Sequence, residues 1–173
     1  MFVVLLEASL DRRVWHVQSE LPLGREPRRI DAVVVQRARS GRSPAPPARV
    51  ASVLEGMTAH TVFSFKGATD ALEALDVLEG LAYVLEYMAV TGLTDPAEVG
   101  LRFVAPRCTA RFVKQLRALD ATLAQAARPG VYEGRWSGIA LRVVETSVAC
   151  DAPKEEVLRV LSPRFLSEDL PLR

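Results

Sequence analysis

Asp31 and Lys66 are the two side chains whose chemistry could be shared. Asp31 lies near the start of an apolar run, Arg29-Ile30-Asp31-Ala32-Val33-Val34-Val35, and Lys66 closes another, Thr61-Val62-Phe63-Ser64-Phe65. Both runs are rich in β-branched or aromatic residues and are short enough to be strands. An acid on one strand and an S-x-K on its neighbour can converge at one edge of a sheet. There a carboxylate can hold a magnesium ion, which lowers the pKa of a bound water and neutralises the charge developing on a phosphorane. The lysine would orient that water. The corresponding reaction is phosphodiester hydrolysis.

The elements that must position this pair are readable along the chain. After Lys66, Gly67 breaks the run, and Thr69 or Asp70 is predicted to cap a helix of about twenty residues. Its apolar positions Leu72, Leu75, Leu78, Leu81, Leu85 and Met88 recur at helical spacing, and Gly92, Asp95 and Pro96 mark its end. Upstream, residues Phe2 to Leu10 suit a short helix or a strand, with Val3, Leu6 and Leu10 on one side. Val14 to Leu23 and Arg29 to Gln36 read as two strands of a hairpin, joined by turn residues Gly24 to Pro27. Arg37 to Ala48 has no large apolar residue and reads as a basic loop, and Val50 to Met57, helix-like in its letters but short, as a turn before the Thr61 strand.

Downstream, Val99 to Ala105 reads as a strand, and Thr109 as the cap of a helix through about Leu119. Phe112, Leu116 and Leu119 would face inward on that helix. Arg111, Lys114 and Arg117 make a basic stripe on its opposite side. Val131 to Gly134 and Ile139 to Val144 resemble a strand pair, and Pro153 to Leu161 a last short helix. A hairpin followed by a strand–helix–strand crossover predicts an α/β fold with a mixed sheet and helices on both faces. The expectation is one domain over 1–173, with a core of about 14–105 and a C-terminal extension over 106–173.

Composition excludes several classes. The hydrophobic share is 49% and the charged share 25%, ordinary for a globular protein, and no apolar run is long enough for a membrane span. The first residues lack a basic n-region and a small-residue cleavage site, so no signal peptide is expected. The two cysteines, Cys108 and Cys150, and the two histidines, His16 and His60, have no zinc spacing. They suit reduced thiols in a cytoplasmic protein, and His16 and His60 read as strand-flanking residues. Trp15 and Trp136 read as packing residues rather than base-stacking platforms. A net charge of +1 conceals segregation: every charge from Gly67 to Leu101 is acidic, while Arg25–Arg49 and Arg102–Arg128 are dominated by bases. Basic loops beside an acidic centre can hold a phosphate backbone against a metal site, and equally form solvated faces or a docking surface.

The segments Arg29-Ile30-Asp31, Val62-Phe63-Ser64-Phe65-Lys66-Gly67, Thr69-Asp70, Asp76, Gly80 and Tyr83 resemble the PD-(D/E)XK, or restriction-endonuclease-like, superfamily. They resemble most its small bacterial members. The resemblance covers roughly Trp15 to Ala105. It implies an αβα sandwich around a central mixed sheet and a magnesium-dependent DNA endonuclease, with manganese able to substitute for magnesium. By resemblance, Asp31 would bind metal, the carbonyl of Phe65 would be a further ligand, and Lys66 would stand beside the attacking water. Glu20, before the hairpin turn, would add a metal contact or support the metal's ligands from behind.

One departure is serious. Ser64 stands where the family has glutamate, and a neutral hydroxyl is a poor magnesium ligand. Some members supply the missing acid from the following helix, and of Asp70, Glu73, Asp76 and Glu79, Asp76 is the preferred substitute. Asp76 and Glu79 are expected on one helical face with Gly80 and Tyr83. Arg37, Arg39, Arg42, Arg111, Lys114 and Arg117 are the expected phosphate contacts. The rival expectation is an inactive nuclease-like module that binds nucleic acid, a protein partner or a second copy of itself.

Overall fold

The computed structural model describes residues 2–23, 28–36, 51–151, 155, 158, 161 and 162. The hairpin expected from the sequence is present: β1 (Trp15–Leu23) pairs antiparallel with β2 (Arg28–Gln36), and β2 with β3 (His60–Phe65). The crossover follows as predicted. β3 leads through α3 (Ala74–Thr91) into β4 (Val99–Ala105), which runs parallel to β3. α1 (Phe2–Ser9) and α2 (Ala51–Leu54) precede β3. After β4 come α4 (Ala110–Ala118), β5 (Thr122–Gln125), β6 (Val131–Trp136), β7 (Ile139–Glu145) and α5 (Thr146–Ala149). The seven strands form one mixed sheet in the order β1-β2-β3-β4-β7-β6-β5.

Two apolar layers sit on opposite faces of this sheet. On one, α3 and α4 cover Val33, Val62, Leu101, Phe103, Leu141 and Val143. On the other, Leu6 and Leu10, Val53 and Leu54, and Ala149 and Leu158 cover Ala32, Val34, Phe63, Val104 and Val144. Each strand contributes alternate residues to the two layers, which is why β2, β3, β4 and β7 read as nearly continuous apolar runs.

Several expectations need correction. α3 begins at Ala74 with Glu73 as its N-cap, not at Thr69 or Asp70. The reason is tertiary: Leu72 is fully buried and forms a bridge to Cys108, with its N–H donating to the Arg107 carbonyl, so the chain stays extended there. The leucine periodicity does not mark the buried side. Leu75, Leu78 and Leu85 are exposed, while Val77, Gly80, Leu81, Val84 and Tyr87 are buried. The strand β5 and the short helices α2 and α5 carry too few residues to produce a pattern. β7 pairs directly with β4, so the region after 106 is built into the sheet rather than appended to it. Arg37 to Ala48 and most of Pro153 to Leu161 lie outside the described residues.

Candidate active site at the end of β3

Ala32 pairs with Phe63, so Asp31 and Ser64 occupy the next rung of the β2–β3 ladder. Strand alternation then puts Asp31, Ser64 and Lys66 on the same face as Val33 and Val62, the face covered by α3. The ladder persists past the strand end, because the Lys66 N–H donates to the Val104 carbonyl at 2.9 Å. Asp31 Oδ2 accepts from the Phe65 N–H at 2.7 Å, which ties the carboxylate to the strand that carries the lysine.

α3 supplies the second carboxylate. Lys66 Nζ and Asp76 Oδ1 are 2.5 Å apart, and Asp76 is buried in the first turn of the helix. The other oxygen, Oδ2, accepts from the Glu73 N–H at 2.6 Å, as a residue three places into a helix can. Helix and sheet come this close because residue 80 is glycine. A Cβ there would stand 2.7 Å from the Phe103 ring and 3.2 Å from Leu101 Cδ2. At the far end, His60 Nδ1 and the Tyr87 hydroxyl share a hydrogen bond of 2.8 Å, fixing α3 along β3.

The electrostatics follow from these contacts. Partial desolvation at the sheet rim raises the Asp31 carboxyl above its ordinary value, against the pull of the Phe65 N–H and the Lys66 charge. For Lys66, burial pushes the ammonium down, but the Asp76 hydrogen bond and the charges of Asp76, Glu79 and Asp31 outweigh it. The net shift is upward. The lysine therefore stays protonated at neutral pH. It can donate to a water or a phosphate oxygen, and it is no general base.

The predicted residues thus separate into groups. Asp31, Ser64, Lys66 and Asp76 share one face of the sheet edge, with the main chain of Phe65 between them. Glu79 is exposed on the flank of α3 rather than buried beside Asp76, though its charge reaches Lys66. Glu20 lies in β1, and its side chain is outside the described residues, as are Arg37, Arg39 and Arg42. Arg111, Lys114 and Arg117 form the expected exposed stripe on α4, over the same face of the sheet as Lys66. Among the described residues, no three Asp, Glu, His or Cys side chains gather as a metal cluster.

A second charged group was not anticipated. Arg102 and Arg142 are register partners on β4 and β7, and both are buried on the opposite face of the sheet. Their guanidiniums donate to the Ser52, Val53 and Glu55 carbonyls at the end of α2, and Arg142 also pairs with Glu133. Burial and the neighbouring Arg142 lower Arg102 to about 9. The signal was present in the sequence, since each strand carries one arginine inside an apolar run. These arginines hold the α2 turn to the sheet.

Comparison with family models, with curated proteins and with solved structures finds no match for this chain. Among the described residues, no helix is long and apolar enough to cross a membrane.

Proposed function

We propose that the protein is a magnesium-dependent DNA endonuclease of the PD-(D/E)XK kind that its motifs resemble. In it, Asp76 on α3 would take the part of the glutamate that Ser64 replaces. The observation that carries this reading is the 2.5 Å Lys66–Asp76 pair standing on the same sheet face as Asp31. The strand order β1-β2-β3-β4 with α3 crossing between parallel β3 and β4 suits the sandwich that the resemblance implies.

The donor set fits the metal. Two carboxylates and a main-chain carbonyl are hard oxygen ligands, and magnesium is commonly held by one or two carboxylates together with waters and substrate phosphate. Asp31, Asp76 and the Phe65 carbonyl would hold it. When bound, it would supply an acidified water and neutralise charge on the phosphorane. Around it, the Phe65 N–H holds Asp31 in place and favours its ionised form. Lys66, partly exposed and protonated, orients a water or a phosphate oxygen by donation. Arg111, Lys114 and Arg117 supply phosphate contacts that position a strand without reading its sequence.

A second reading is a nuclease-like scaffold that binds without turnover. It is favoured by one observation: both Asp76 oxygens are already engaged, by Lys66 and by the Glu73 N–H. Nicking of supercoiled plasmid with magnesium or manganese separates the two. The endonuclease reading expects open circles from the native chain, and losses of about 100-fold or more in Asp31→Ala and Lys66→Ala. Retention of DNA without nicking supports the scaffold, and no retention at low salt rejects both as nucleic-acid readings.

A further inference from the structure

The outward side of α3 carries an apolar seam that no other described element covers. Leu75, Leu78 and Leu85 are 63%, 45% and 50% exposed. With Ala82 and Ala89 between and after them, they recur at alternating three- and four-residue steps, the spacing by which two helices pack side by side. The small alanines permit close approach. These residues oppose the buried Val77, Gly80, Val84 and Tyr87, so the sheet cannot cover them.

Charge flanks this seam on both sides, with opposite signs. Glu79 and Glu86 border it on α3, and Glu79 lies on the side toward Lys66 and β2. α4 packs against α3 on the other side, over β7, and exposes Arg111, Lys114 and Arg117. One surface therefore reads acid, apolar, base. A two-fold interface places the same patch against itself, so the patch must be self-complementary. A two-fold axis running along the helices brings the acids of each copy opposite the bases of the other. An axis across the helices would set acid on acid and base on base.

We propose that a second copy of this chain covers the seam, with the two α3 helices parallel. Glu79 and Glu86 of each copy would face Arg111, Lys114 and Arg117 of the other, so the partner copy and a phosphate backbone would compete for these three bases. Asp76 is on the buried side of α3, so the dimer leaves the Asp31–Lys66–Asp76 edge outside the interface. The inference does not rest on catalysis.

Sedimentation equilibrium of the full chain tests it. The expected mass is twice 19.0 kDa. Leu78→Glu with Leu85→Glu should weaken the dimer by about 30-fold or more, with the circular dichroism of the native fold retained, because both residues are at the surface. Glu79→Lys/Glu86→Lys and Lys114→Glu/Arg117→Glu should each dissociate alone and form a heterodimer when mixed. A native monomer throughout the micromolar range overturns the proposal, as does a dimer indifferent to the leucine substitutions. Charge variants that dissociate but fail to pair on mixing overturn the parallel arrangement.

Discussion

Lys66 and Asp31 both lose their stabilising contribution as pH rises, in widely separated ranges and each for reasons traceable to its neighbours. The folded-state pKa of Lys66 is raised, chiefly because its pairing with Asp76 outweighs its burial. Its contribution to stability is therefore complete below 10.5, its unfolded value, and is lost as pH climbs through the higher folded value. Asp31 is also raised, but for a carboxyl that means the charged form is disfavoured in the fold. Its contribution is present below 3.8 and disappears as pH rises through the folded value. Thermal unfolding across pH should show both ranges. Lys66→Met is expected to lower Tm at pH 7, with the gap to the native chain closing above pH 10.5. Asp31→Asn is expected to raise Tm at pH 7 and to have little effect below pH 3.8. A carboxylate kept ionised at a cost to the fold is the pattern expected of a group retained for chemistry.

At the scale of the element, α3 joins the site to the core, and Gly80 sets its distance from the sheet. Phe103, the ring a new Cβ would strike, is fully buried and packs edge-on against Phe112 with centroids 5.1 Å apart. Neither ring can yield cheaply. Gly80→Ala is therefore expected to destabilise the protein by about 1–3 kcal/mol in urea unfolding, despite the better helix propensity of alanine. α3 also shows what the sequence made legible. Its existence, its stop at Gly92 (φ 71°) and the nearness of Asp76 to the end of β3 could all be read from residue types and spacing. Its start and its buried side could not. The start is decided by Leu72 pairing with Cys108, a contact remote in sequence. The buried side is ambiguous because two faces are apolar: Val77, Leu81 and Val84 on one, Leu75, Leu78 and Leu85 on the other. Which face turns inward depends on Gly80 and the ring beneath it, information carried by the partner strand.

At the scale of the whole molecule, the sheet brings together residues that the chain separates. Asp31 and Ser64 meet because β2 and β3 are antiparallel neighbours, and Asp76 arrives because α3 must cross back over β3 to make β4 parallel. The strand runs around this crossover were legible because buried strands are nearly continuous in apolar residues. β5, with four residues and mostly exposed, was not. In the proposed enzyme, Asp76 on α3 takes the part that a carboxylate at position 64 of the strand would play. Ser64 and Asp76 lie on the same side of the sheet edge, so this can be tested by moving the charge to position 64. Asp76→Asn should abolish magnesium-dependent plasmid nicking while the amide oxygen can still accept from Glu73, and adding Ser64→Glu to that variant should restore it. Nicking undiminished in Asp76→Asn would contradict the account, as would a folded double variant that stays inactive.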